Sequence, residues 1–132
     1  MKLDNLFNDG ATGIEQAIYL GEIAFNTTDV DTGVSLKNKL PKGFVATRFV
    51  CNVLTAFNAA TTNVVVLGNA DDDDAYMASG DVAEGSAGTN VKNAWTAVGA
   101  SDIEVKAKFT QTGTAATAGK AEFYAFVMKL PA

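Results

Sequence analysis

The chain of 132 residues has no histidine. That absence removes the commonest general base, the Ser-His and Cys-His nucleophile pairs, and most zinc and iron sites. There is one cysteine, Cys51, so no disulfide can form within the chain. It lies in the apolar run "RFVCNVL", where a free thiol reads as a small core residue. No stretch of ~18 uninterrupted apolar residues occurs, so no membrane-spanning helix is expected. The opening "MKLDNLFNDG" carries two acids and no apolar run of signal-peptide length. Synthesis in a cytoplasm, without the usual export route, is therefore the expectation. Basic residues are outnumbered, and the net charge of −5 disfavours general nucleic-acid binding. No repeat and no linker divides the chain.

What is present suits one folded domain. Hydrophobic residues make up 48% of the chain, enough for a core without disulfides or metal. Charge is unevenly placed. Lys37, Lys39, Lys42 and Arg48 fall in a stretch without acids, whereas Asp71 to Asp74, Asp81 and Glu84 fall in one without bases. These read as two solvated loops, or as opposite patches that meet between neighbouring subunits.

Helix signals are thin. Residues 14–20, "IEQAIYL", can make two turns, but the following "GEIAFNTT" is strand-like. Residues 44–55 place Val45, Thr47, Phe49, Cys51 and Val53 on one face by period-2 spacing. Their other face is also largely apolar, which implies a central strand or a subunit contact. In "IEVKAKFT", Ile103, Val105, Ala107 and Phe109 point inward, and Glu104, Lys106 and Lys108 outward. With "KAEFYAFVMKL" at 120–130, this segment is expected to form a long-looped hairpin. Strands are expected near 17–25, 33–36, 44–55, 63–67, 75–78, 91–98, 103–110 and 120–130. Eight strands with Gly, Asn, Asp and Thr turns predict an all-β, antiparallel β-sandwich, jelly-roll-like, over residues 14–132. Residues 1–13 read as an N-terminal arm or disordered end.

Chemical motifs fail one by one. "TAGKAEF" lacks the hydroxyl residue and the following helix of a phosphate loop, and "GDVAEGSAGTN" lacks dinucleotide spacing. Asn26-Thr27-Thr28 is a formal glycosylation sequon without a secretion signal to use it. An EF-hand starting at Asp71 would need Gly where Tyr76 stands and Glu where Val82 stands. Asp71 to Asp74 are therefore expected to form a solvated turn, with weak calcium binding as the remaining metal reading. Trp95 reads as a sheet or interface aromatic; paired with Tyr76 it would make a sugar-stacking platform.

Residues 40–77, "LPKGFVATRFVCNVLTAFNAATTNVVVLGNADDDDAYM", followed by "FTQTGTAATAGKAEFYAFV", resemble small virion structural proteins of tailed bacteriophages. The likeness is carried by the Leu40-Pro41-x-Gly43 turn, Thr55-Ala56-Phe57-Asn58, Thr61-Thr62-Asn63, Asp74-Ala75-Tyr76 and the loop from Thr112 to Gly119. It spans roughly residues 30–128. It implies a non-enzymatic protein of the phage head, a capsid decoration protein that binds the major capsid protein and stabilises the assembled shell. A homotrimer is expected, with no cofactor, nucleic acid or membrane, assembled into the virion in the host cytoplasm. Candidate contact residues are Leu3, Leu6 and Phe7 in the arm and Lys37, Lys39 and Lys42 at the rim. The alternative is a carbohydrate- or receptor-binding module of a head fibre or tail, using Tyr76 and Trp95.

Overall fold

A computed structural model describes residues 14–130; Leu3, Leu6 and Phe7 lie outside the described residues. Seven strands follow in order: β1 Glu15–Ala24, β2 Val34–Ser35, β3 Phe44–Thr55, β4 Thr62–Gly68, β5 Gly88–Ala97, β6 Lys106–Thr112 and β7 Lys120–Lys129. They form two sheets, ordered β1-β7-β3-β5 and β2-β6-β4. Every pairing is antiparallel.

The pairing scheme identifies the topology. β1 pairs with β7, β2 with β6, and β3 with β5, while β4 pairs through Leu67 with the single residue Met77. First meets last, and so on inward, as in one long hairpin. That hairpin is rolled up by two further pairings, β3 with β7 and β4 with β6. The result is the expected all-β sandwich with a jelly-roll strand order.

The segment expected as an eighth strand, 75–78, is reduced to the Met77–Leu67 bridge. The chain turns away at once: Asp81 N–H bonds to the Ala78 carbonyl, and the Asp81 carboxylate accepts from the Ala78 N–H. The hairpin expected over 103–130 is not present. β6 and β7 alternate as anticipated but belong to opposite sheets, and residues 113–119 carry the chain across. Alternation records which side of a strand meets the core, and both sheets face the same core.

The inward faces supply that core. Phe49, Cys51 and Val53 of β3 and Phe123, Ala125 and Val127 of β7 meet Val65 and Leu67 of β4 and Ala107 and Phe109 of β6. Burial of each such large side chain is worth about 1.5–3 kcal/mol. One detail of β3 departs from strict alternation. Its pairing shifts between Ala46 and Arg48 against both neighbours: against β7 Thr47 is the extra residue, a bulge, whereas against β5 the extra residue lies on β5, where Ala94 and Trp95 oppose Thr47. The bulge at Thr47 changes the phase, so Ala46 enters the core cluster and Val45, although buried, lies outside it. Thr47, expected inward, instead donates its hydroxyl to the Glu15 carboxylate and the Phe126 carbonyl.

Candidate interaction surfaces

The outer face of β1-β7-β3-β5 is the broadest candidate. Register places Tyr19, Tyr124, Val50 and Val91 side by side, one from each strand. The adjoining row holds Ala17, Phe126, Arg48 and Asn93. Tyr19 and Tyr124 meet edge to face with centroids 5.3 Å apart. Val91 is 52% exposed and Trp95, further along edge strand β5, is 64% exposed. The Arg48 guanidinium lies 4.2 Å from the Phe126 ring centroid and pairs with Glu15 at 2.5 Å, while its Nε is enclosed without a partner among the described residues. The Thr47 hydroxyl first, and then Arg48, hold the Glu15 carboxyl below the usual glutamate range.

The outer face of the other sheet differs. On β6 it presents Lys106, Lys108 and Thr110, the polar exterior ordinary for an antiparallel sheet, with Val64 and Val66 of β4 beside Thr110 and Lys108. Much of the apolar face was readable in "KAEFYAFVMKL", where Tyr124, Phe126 and Met128 alternate with the core residues Phe123, Ala125 and Val127. That double apolar parity was the available signal, and Tyr19 and Val91 complete the row only through register.

The lysines anticipated as rim contacts are all exposed. Lys37 and Lys39 alternate with buried Leu36 and Leu40, and Lys42 follows Pro41. The Lys42 backbone N–H bonds to the Asp102 carboxylate at 2.9 Å, fixing this corner to the 99–103 turn. Arg48, grouped with them in the sequence, belongs to the sheet face instead.

The aspartate run is a built turn. Asn69 Oδ1 accepts from the N–H groups of Asp71 and Asp72, both at 3.0 Å, and Asn69 Nδ2 donates to the Tyr76 hydroxyl. The turn folds back over Gly68, where any β-carbon would overlap the carbonyl oxygen of Asp72. Carboxylate oxygens of Asp72, Asp73 and Asp74 lie within 4.8 Å of one another, all exposed. Lys108 already pairs with Asp73 at 2.8 Å, so a hard cation there would compete with an ammonium. Much of the acidic stretch is engaged inside the chain: Asp81 pairs with Lys92, and Glu84 accepts from the Val65 N–H.

Two side chains singled out in the sequence do not come together. Tyr76 is 5% exposed and stacks on Phe49 at 4.6 Å between the sheets, whereas Trp95 points out from β5. The sugar platform expected of this pair is therefore absent, because one sheet separates them. Cys51 is sealed in the core, where burial first and Glu84 second push its thiol up to about 12. It stays protonated and inert near neutrality.

No family model and no curated protein matches the chain. Solved structures do. A chain of the cyanophage Pam1 capsid asymmetric unit superposes with a TM-score of 0.69 at 18% identity, covering 94% of this chain and 90% of that one. A chain of the acidic stable capsid structure of Helicobacter pylori bacteriophage KHP30 superposes with a TM-score of 0.56 at 17% identity, covering 90% and 95%. The fold of this chain is thus one found, nearly end to end, in chains of two phage capsid structures.

Proposed function

We propose that this chain is a non-enzymatic structural protein of a phage virion, a decoration protein that binds the major capsid protein on the assembled head. The supporting observation is the reciprocal coverage: the whole sandwich, rather than a shared sheet, corresponds to chains of two capsid structures. The sequence resemblance to small phage virion proteins points the same way. A repeated shell surface multiplies modest contacts, and bridging neighbouring capsomers would stabilise the head. Leu3, Leu6 and Phe7 are the proposed apolar contacts, and exposed Lys37, Lys39 and Lys42 the proposed polar rim.

Sedimentation with purified heads lacking the chain tests this. The full chain should co-sediment to a fixed stoichiometry and delay thermal rupture of the heads. The triple variant Lys37→Glu, Lys39→Glu, Lys42→Glu should co-sediment less, increasingly so at low salt. A chain left wholly in the supernatant would sink the decoration reading. Undiminished binding of the triple variant would remove the lysines from it.

A further inference from the structure

The middle rows of the four-stranded sheet are apolar on both sides, yet the described residues place a layer on only one. On β7 the outward residues are exposed Lys120, then Glu122, Tyr124, Phe126 and Met128, each half-buried, so the apolar patch begins past Glu122. An antiparallel sheet with a solvated face is ordinarily polar there, as β6 is. We infer that this face is the contact surface for a second copy of the chain, the two faces stacking about a two-fold axis that runs along the strands between β7 and β3.

Size favours this occupant. Four strands about 4.8 Å apart, each contributing about eight residues of about 3.4 Å, make about 500 Å² of flat sheet. Side chains standing from that plane raise the accessible area toward the about 800 Å² per partner of a standard interface.

The face also complements itself. The axis brings Tyr124 over Val50 of the other copy and Tyr19 over its Val91, large against small in both directions. Arg48 comes over Phe126 of the other copy rather than over a second arginine. Trp95 reaches the end of β1 near Ala17, whose short side chain leaves room.

Most charge on the face is paired in place. Arg48 pairs with Glu15 and Lys120 with Glu22 at 3.5 Å; Glu122 keeps its charge and accepts from Asn52 at 3.1 Å at one end of the patch. The exposed acids Asp71, Asp72 and Asp74 lie in the turn after β4, on the other sheet. One face meeting itself closes at two copies, so the inference departs from the trimer expected from the resemblance. It does not rest on the virion reading, which head sedimentation tests separately.

Light scattering on the full chain across a concentration series decides it. A particle of twice the 13.7 kDa chain mass is expected. Added salt should tighten it, because each copy carries −5 and the contact itself is apolar. Val91→Glu and Trp95→Asp, both at exposed positions, should each weaken the pair by about tenfold or more, whereas Lys39→Glu should leave it intact. Trp95 is the only tryptophan, so its emission should shift to the red as the pair is diluted apart. A monomer at every concentration overturns the inference, as does a trimer mass, a pair loosened by salt, or a pair untouched by both variants. A monomer whose Trp95 emission is already blue would assign the face to residues 1–13. A monomer that loses head binding on Val91→Glu would assign it to the shell.

Discussion

Gly119 has a φ of +147°, a backbone state that L side chains rarely adopt, and a β-carbon there would overlap the Phe57 ring. That ring packs on Phe109 with centroids 4.6 Å apart, so it has nowhere to retreat. Gly119→Ala should therefore cost about 2–4 kcal/mol, combining backbone strain with overpacking. Gly85→Ala, where a β-carbon meets open space, should change stability by no more than about 0.5 kcal/mol. Urea unfolding of both variants checks the contrast, and equal losses would refute the packing account. Asp74 gives a pH-dependent counterpart. Hydrogen bonding to the Asp72 side chain first, and then the Asp72 charge, hold the Asp74 carboxyl above the usual aspartate range. A raised folded-state value means the group's contribution is full below the ordinary aspartate range and is lost as pH rises through the raised value. Asp74→Asn should accordingly gain thermal stability relative to the parent at neutral pH and lose that advantage in acid. A melting-temperature difference that is flat with pH would contradict this.

At the scale of elements, legibility tracked how local the deciding interaction is. β3 was readable to its ends because its apolar run is long and bounded by Gly43 and by the 56–61 turn. The inward set Val105, Ala107 and Phe109 followed from alternation alone. The partner of β6 did not, because sheet membership is decided at the loop. Asn58 Oδ1 accepts from the N–H groups of Thr117 and Ala118, and Gln111 Oε1 from that of Ala116, holding 113–119 across the end of the sandwich. The Asn58 contacts join residues 59 and 60 positions apart, and no period in the sequence encodes them. The bulge at Thr47 was hidden for the same reason: its phase change appears only once β3 is paired with β7. Lys37, Lys39 and Lys42 were readable as an exposed basic corner. The aspartate run was readable as a turn, but its engagement by Lys108, 35 positions away, was not.

For the whole molecule the relevant quantity is how binding to a shell adds to its own stability. A ligand that binds only the folded state at 100 times its dissociation constant adds about 2.7 kcal/mol. In a domain of 132 residues, 1 kcal/mol moves the melting temperature by about 3–5 °C, so the shift on saturated heads should be about 10 °C. Limited proteolysis along a thermal ramp, read by mass spectrometry of this chain's own peptides, follows it in the presence of shell protein. The parent chain should resist cleavage to the higher temperature only when heads are present. The triple lysine variant should fall back toward the free value, because weaker binding at the same concentration shrinks the added term. The two kinds of association separate by what they need: pairing through the sheet face raises the melting temperature with the chain's own concentration, whereas head binding raises it at fixed concentration. A melting temperature indifferent to heads at saturating concentration would mean that no shell surface recognises the fold.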